Sequence, residues 1–163
     1  MKKRVLIVDD NKTNRYMLET LLRGEGIEVT SAENGKVALD SAHADPPDLI
    51  ISDILMPVMD GYLLCRKCKE DERLRQIPFL FYTATYTEPK DEALALSLGA
   101  DRFILKPQEP EALIRILQET WDKQSAAEPM APRPLGEEME FFRHYNEVLF
   151  KKLEKTMLDL ETA

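Results

Sequence analysis

Leu49-Ile50-Ile51-Ser52 is an apolar run without polar alternation, and the chain that follows, Asp53-Ile54-Leu55-Met56-Pro57-Val58-Met59-Asp60-Gly61, cannot prolong it. A half-wet strand alternates apolar and polar residues. A strand covered on both faces reads as a continuous apolar run, and such strands belong to parallel sheets. Pro57 and Asp60-Gly61 force a tight loop, and Asp60 can cap a helix whose apolar positions are Tyr62, Leu63 and Leu64. Asp53 is thereby carried to the carboxyl edge of a sheet, the edge where α/β proteins bind ligands.

The same grammar repeats along the chain. Val5-Leu6-Ile7-Val8 ends at Asp9-Asp10, with Asn11 as a cap for a helix that carries Tyr16, Met17, Leu21 and Leu22 and stops near Gly24 and Gly26. Residues 27–32 make a short strand, and Asn34-Gly35 opens a helix with Val37, Ala38, Leu39 and Ala42 that ends before Pro46-Pro47. Residues 77–82 are another buried run, ending at Thr83-Ala84-Thr85. Pro89 suits the first turn of a helix with Ala93, Leu94, Leu96 and Leu98, stopped by Gly99. Phe103-Ile104-Leu105 ends at Lys106-Pro107, and Glu109-Pro110-Glu111 opens a last helix through Leu113, Ile116, Leu117 and Trp121. Strand and helix in strict alternation, five times over, predict a doubly wound α/β domain on a five-stranded parallel sheet.

Composition narrows the function classes. Among 163 residues the net charge is −8 and the isoelectric point is near 4.9, which argues against a broad basic face for nucleic acid or an anionic membrane. No apolar run approaches the roughly 20 residues of a spanning helix, and Met1-Lys2-Lys3-Arg4 leads into a strand too short for a signal peptide, so a cytoplasmic protein is expected. Cys65 and Cys68 form a C-x-x-C without a second cysteine pair or nearby His; they are expected as one half-buried and one surface thiol of a helix. His43 and His144 are isolated, and neither is taken as a ligand.

Four of the apolar runs end in functional groups at one edge: Asp9-Asp10, Asp53, Thr83 and Lys106. Three crowded carboxylates repel each other unless a divalent cation joins them, and oxygen-only ligands select Mg²⁺ or a relative. Lys106 and the Thr83 hydroxyl then supply a positive charge and a donor beside Asp53, a set suited to a phosphoryl group in transfer. Asp53, at the end of the central strand, is the best nucleophile, while Asp9 and Asp10 reach a metal together.

Asp9-Asp10, Asp53 with Met56-Pro57 and Asp60-Gly61, Thr83-Ala84 and Lys106-Pro107 together resemble the receiver domain of bacterial response regulators, over residues 3–121 or so. The resemblance implies the (βα)5, flavodoxin-like fold and a role for each position. Asp53 would be the phosphoacceptor, supplied by a histidine kinase or a histidine phosphotransfer protein. Asp9, Asp10, Asp53 and the backbone carbonyl of Leu55 would hold Mg²⁺. Thr83 and Lys106 would bind the phosphoryl oxygens, the Lys106-Pro107 peptide would be cis, and Thr83 with Phe103 would form the switch that reads phosphorylation. Phe103 lacks the hydroxyl of the Tyr often found there.

A Mg²⁺-dependent aspartyl phosphohydrolase is the rival enzyme class. Such enzymes place a second Asp two residues after the nucleophile, where this chain has Leu55. A receiver kept only for docking is disfavoured because no acceptor-site residue is missing.

Residues 1–123 are thus expected as the receiver, 124–136 as an Ala- and Pro-rich linker, and 137–163 as a long amphipathic helix. Met139, Asn146, Leu153 and Leu160 recur every seven residues, as do Phe142, Leu149, Thr156 and Ala163, with the sets offset as an a/d seam. A parallel homodimer is expected, with Asn146 fixing register. This helix is acidic and too short for a helix-turn-helix domain, so direct nucleic-acid binding is not expected. Glu161-Thr162-Ala163 ends without a cap, as if the chain continued into an output module. Receivers followed by such a helix resemble the amino-terminal parts of hybrid histidine kinases or diguanylate cyclases.

Overall fold

The run Leu49–Ser52 is the central strand of a parallel sheet and is 0–1% exposed throughout. The computed structural model describes residues 3–84 and 89–126. Strands β1 (Arg4–Val8), β2 (Glu28–Ala32), β3 (Leu49–Ser52), β4 (Phe79–Thr83) and β5 (Arg102–Leu105) alternate with helices α1 (Lys12–Gly24), α2 (Gly35–Ala44), α3 (Gly61–Glu70), α4 (Pro89–Ser97) and α5 (Pro110–Ala126). The sheet order is β2-β1-β3-β4-β5 and every pairing is parallel. This is the doubly wound α/β architecture expected from the sequence. Among the described residues no helix is long and apolar enough to cross a membrane.

Helix starts follow the predicted caps at Asn11 and Asp60, and Asn34, read as a turn residue, caps α2 in the same way. Asn11 accepts the N–H of Asn14, Asn34 that of Val37 and Asp60 that of Leu63, each at 2.9 Å. Each such bond satisfies a donor the helix leaves unpaired and contributes about 1 kcal/mol. Gly61, the first residue of α3, is required by space: a Cβ there would lie 2.1 Å from the carbonyl oxygen of Asp53. Its N–H donates to the carbonyl of Ile54 at 2.7 Å, closing the loop directly beneath the nucleophile candidate.

Side-chain alternation divides the interior in two. Leu6, Val8, Ile50, Phe79 and Phe81 meet Ala38, Tyr62, Leu64 and Leu94 of α2, α3 and α4, and Leu98 just past α4. Val5, Ile7, Leu49, Ile51, Leu80 and Ile104 meet Leu22, Leu113, Leu117 and Trp121 of α1 and α5. Successive residues of a strand point to opposite faces, so neighbours in sequence serve different cores.

Several expected core positions are exposed. Tyr16 and Met17 are 68% and 64% exposed, because α1 covers the sheet with Leu18, Leu21 and Leu22. Tyr16 stands two residues from Leu18, about 200° around the helix. Val37 and Leu96 also face outward. The thiols are corrected in the other direction: Cys65 and Cys68 are both buried, at 0% and 1%. Helix α3 is covered on two sides, with α2 along one flank and the hydroxyl of Tyr62 reaching the backbone of Asp91 on α4 at 3.4 Å. Burial pushes the Cys68 thiol up to about 12, which keeps it protonated and unreactive. Helix α5 continues to Ala126, past Gln124, where the linker was expected to begin. The rest of that linker, the seam helix of 137–163 and Thr85 lie outside the described residues.

Candidate phosphoacceptor site

Val8 and Ser52 are partners in the β1–β3 ladder, and the strand order reverses about them. From β1 the chain goes outward to β2, then returns across to β3. At such a switch point the crossovers diverge and leave a crevice at the carboxyl edge. Each strand delivers an aspartate to it. The N–H of Asp53 donates to the carbonyl of Val8 at 2.9 Å and that of Asp9 to Ala32 at 3.1 Å, so both residues are held as extensions of the sheet.

Asp9, Asp10 and Asp53 each offer a carboxylate oxygen, and these atoms lie within 4.8 Å of one another. Lys106 reaches them from the end of β5, with Nζ 2.9 Å from Oδ2 of Asp9 and 3.7 Å from Oδ2 of Asp53. The remaining oxygens are also engaged: Oδ1 of Asp9 accepts the N–H of Asn11 at 2.9 Å, and Oδ1 of Asp53 accepts that of Ile54 at 2.7 Å. The carboxyl of Asp10 is raised above its ordinary value, first by loss of hydration and then by the charges of Asp9 and Asp53. The cluster is therefore short of positive charge. Its donors are all oxygens of hard carboxylates at the spacing of a shared ion, which fits Mg²⁺ or a similar cation.

Lys106 is placed by its own backbone, whose N–H donates to the carbonyl of Thr83 at 2.9 Å, and the Lys106-Pro107 peptide is cis. Thr83 ends β4 and is fully buried. By alternation with Tyr82 its side chain lies on the α2/α3/α4 side of the sheet, next in parity to Phe81. The ring of Phe103, partly buried, stands 6.2 Å from that of Phe81. Leu55 is partly buried against the same core, in the loop after Asp53. The candidate residues thus gather at one edge but on two sides of the sheet.

Two side chains that motif reading passes over reach the site. Arg15, on the first turns of α1, donates from Nη1 to the backbone carbonyl of Asp9 at 2.6 Å. Tyr82 lies beneath Lys106, with the ammonium 5.3 Å from its ring centroid. Parity along β4 would have found it, since Tyr82 shares a face with Leu80. A cavity of about 320 Å³ opens onto the site, lined among others by Met17, Asp53, Tyr82, Lys106 and Leu113.

The model of the response regulator receiver domain matches residues 5–118. The response regulator PleD of Caulobacter vibrioides is 42% identical over 107 residues, which is 66% of this chain and 23% of that protein. The DNA-binding response regulator MtrA of Mycolicibacterium paratuberculosis is 36% identical over 114 residues, 70% of this chain and 49% of that protein. The chain thus spans less than half of either relative. Among solved structures, the signal receiver domain of a signal transduction histidine kinase from Syntrophus aciditrophicus superimposes with a TM-score of 0.70 at 35% identity, covering 79% of this chain and 97% of that one. The chemotaxis response regulator CheY4 of Vibrio cholerae gives 0.69 at 34%, covering 74% and 99%. With a match across most of its length and the acidic edge where the strand order reverses, this chain belongs to the response regulator receiver domain family.

Proposed function

We propose that Asp53 accepts a phosphoryl group from the phosphohistidine of a histidine kinase or a histidine phosphotransfer protein in the cytoplasm, as one step of a two-component relay. The observation that carries this reading is the grouping of Asp9, Asp10, Asp53 and Lys106 at the strand-order reversal, within reach of an open cavity. An oxygen of Asp53 attacks phosphorus, the phosphorus–nitrogen bond of the donor breaks, and the freed imidazole takes up a proton. Asp9, Asp10, Asp53 and the carbonyl of Leu55 would hold Mg²⁺, which supplies charge neutralisation for the incoming phosphoryl oxygens. Lys106 stands close enough to Asp53 to pair with those oxygens as they arrive.

Phosphorylation adds about −1.5 to −2 of charge at Asp53. Thr83 would turn toward it, and Phe103 would follow into the space released beside Phe81. The relay would pass to an output module through residues 137–163, a parallel dimer by its heptad seam. Sedimentation of the full chain against one ending at Lys123 tests the seam, and two monomers at tens of micromolar would remove it. Within this chain the chemistry is self-catalysed phosphoryl acceptance; a longer parent could be a histidine kinase or a diguanylate cyclase.

With Mg²⁺ and acetyl phosphate, intact mass should show one phosphoryl adduct that is absent in Asp53→Asn and in wild type treated with EDTA. An adduct that persists in Asp53→Asn would overturn the assignment.

A further inference from the structure

Strand β4 reads Phe79-Leu80-Phe81-Tyr82-Thr83, and its aromatic residues are divided by parity. Phe79 and Phe81 fill the core against α2, α3 and α4, whereas Leu80 and Tyr82 face α1 and α5. Tyr82 pairs in register with Ile104 of β5. Two residues after Ile104, just past the end of β5, comes Lys106, diagonal to Tyr82, a separation that long and aromatic side chains span.

Two contacts fix this diagonal. The ammonium of Lys106 lies 5.3 Å from the centroid of the Tyr82 ring, and the Tyr82 hydroxyl accepts the N–H of Gln108 at 3.3 Å. The side chain of Gln108 in turn donates to the carbonyl of Leu105 at 3.0 Å. Tyr82 therefore holds the Lys106-Pro107-Gln108 segment at both ends, by its ring at one and its hydroxyl at the other. Lysine is a flexible side chain with much rotamer freedom to lose, and a ring face opposed to its charge restricts where the ammonium rests.

We propose that Tyr82 is a positioning residue for Lys106, holding its ammonium over the ring and between Asp9 and Asp53. This rests on Asp53 being the phosphoacceptor. An aliphatic residue in the place of Tyr82 would still fill the space beside Leu113 and Leu18. It would leave the ammonium without its ring and nearer to Asp9, to which it is already closer by 0.8 Å (3.7 against 2.9 Å). The ring is the operative part, so phenylalanine should substitute and leucine should not.

The test compares Tyr82→Leu and Tyr82→Phe with wild type at saturating acetyl phosphate, with Mg²⁺ titrated. Tyr82→Leu should accept phosphate roughly three- to ten-fold more slowly, the range a partly desolvated cation–ring contact spans. Half-saturation by Mg²⁺ should shift less than the rate, because Asp9 and Asp53 keep their backbone supports. Tyr82→Phe should recover most of the rate. In parallel, ε-¹³C lysine NMR, with the resonance assigned through Lys106→Met, should show an upfield ring-current shift at Lys106 in wild type and Tyr82→Phe that is lost in Tyr82→Leu. A wild-type rate in Tyr82→Leu, or a Lys106 resonance that ignores the substitution, overturns the proposal. If wild type takes no phosphate, the phosphoacceptor reading fails separately and the resonance alone decides whether the ring holds the lysine. Should Tyr82→Leu not fold, Tyr82→Met serves the same comparison.

Discussion

On the α1/α5 side of the sheet, the parity that buries Ile7, Ile51, Leu80 and Ile104 goes on to deliver Asp9, Asp53, Tyr82 and Lys106 to an open cavity. On the α2/α3/α4 side, the parity that buries Val8, Ile50 and Phe81 delivers Ser52 and Thr83, which are 1% and 0% exposed. The ends of β3 and β4 thus face an open acidic site on one side and a sealed core on the other. A site that must admit a donor and a cation needs the first, and a site whose state must be felt elsewhere needs the second. Because a strand's period is two, one residue's slip in register would exchange the two sets.

The sharpest way to break the comparison is to remove one residue from each side of the same strand. Phe81 is fully buried, with the rings of Phe79, Tyr62 and Phe103 at 5.1, 5.4 and 6.2 Å. Phe81→Ala should cost about 3–5 kcal/mol of folding stability, the usual toll of an emptied aromatic site. Tyr82 is half-buried and borders a cavity, so Tyr82→Leu should cost about 1 kcal/mol while slowing phosphorylation. Urea midpoints measured side by side decide, and equal losses would mean that the two sides are not energetically distinct.

The fold was legible because its signals are local and mutually consistent. Leu49-Ile50-Ile51-Ser52, short, apolar and followed by turn residues, reads as a doubly covered strand, and Asn11, Asn34 and Asp60 cap the helices they precede. Asp9, Asp53, Thr83 and Lys106 were legible as candidates because each stands at or just past a strand's end. What escaped were consequences of tertiary covering. Cys65 and Cys68 look half-exposed on a helical wheel, yet α3 has neighbours on both flanks. Tyr16 and Met17 look apolar enough for the core, yet Leu18, Leu21 and Leu22 already supply α1's covered stripe. Arg66, an ion-pair partner of Glu70 at 2.9 Å, is buried, and no periodicity announces a charged residue there. Tyr82 carries no motif of its own; parity along β4 gives its face, and its register against Ile104 brings it beneath Lys106.

A smaller effect tests whether the acidic edge is held against electrostatic cost. In the metal-free protein, the folded state raises the carboxyl of Asp10 above 3.8, through lost hydration and then through Asp9 and Asp53. Between 3.8 and the raised value the folded chain binds more protons than the unfolded one, so this group's contribution to stability falls as pH rises through that window. Asp10 therefore opposes folding at neutral pH and ceases to do so once protonated. In EDTA, Asp10→Asn should be more stable than wild type at pH 7, with the gap narrowing toward pH 4, and added Mg²⁺ should stabilise wild type more than the variant. Urea titrations at the two pH values check it; a variant less stable than wild type at pH 7 would show that the acidic edge is not strained.

The smallest effect has the opposite sign and lies on the sealed side, at the far ends of α2 and α3. Asp71 lies 2.6 Å from Nε2 of His43 through Oδ2, and its Oδ1 accepts the N–H of Arg73 at 2.8 Å. The hydrogen bond from His43 is the main reason its carboxyl is lowered below 3.8. For a lowered carboxyl the unfolded chain holds the proton more tightly, so the stability it contributes is fully present above 3.8 and is lost as pH falls through the folded value. Both side chains are partly solvated, which screens the pair and keeps its share small. Asp71→Asn should lower the urea midpoint slightly at pH 6, and the difference should vanish as pH drops below 3.8. Asp10→Asn should shift the midpoint the other way over an adjoining and higher range. If the two variants moved stability in the same direction with pH, strain could not be assigned to the acidic edge and a stabilising pair to the ends of α2 and α3. Opposite slopes would locate the cost of the acidic edge at the switch point between β1 and β3, where a bound cation would relieve it.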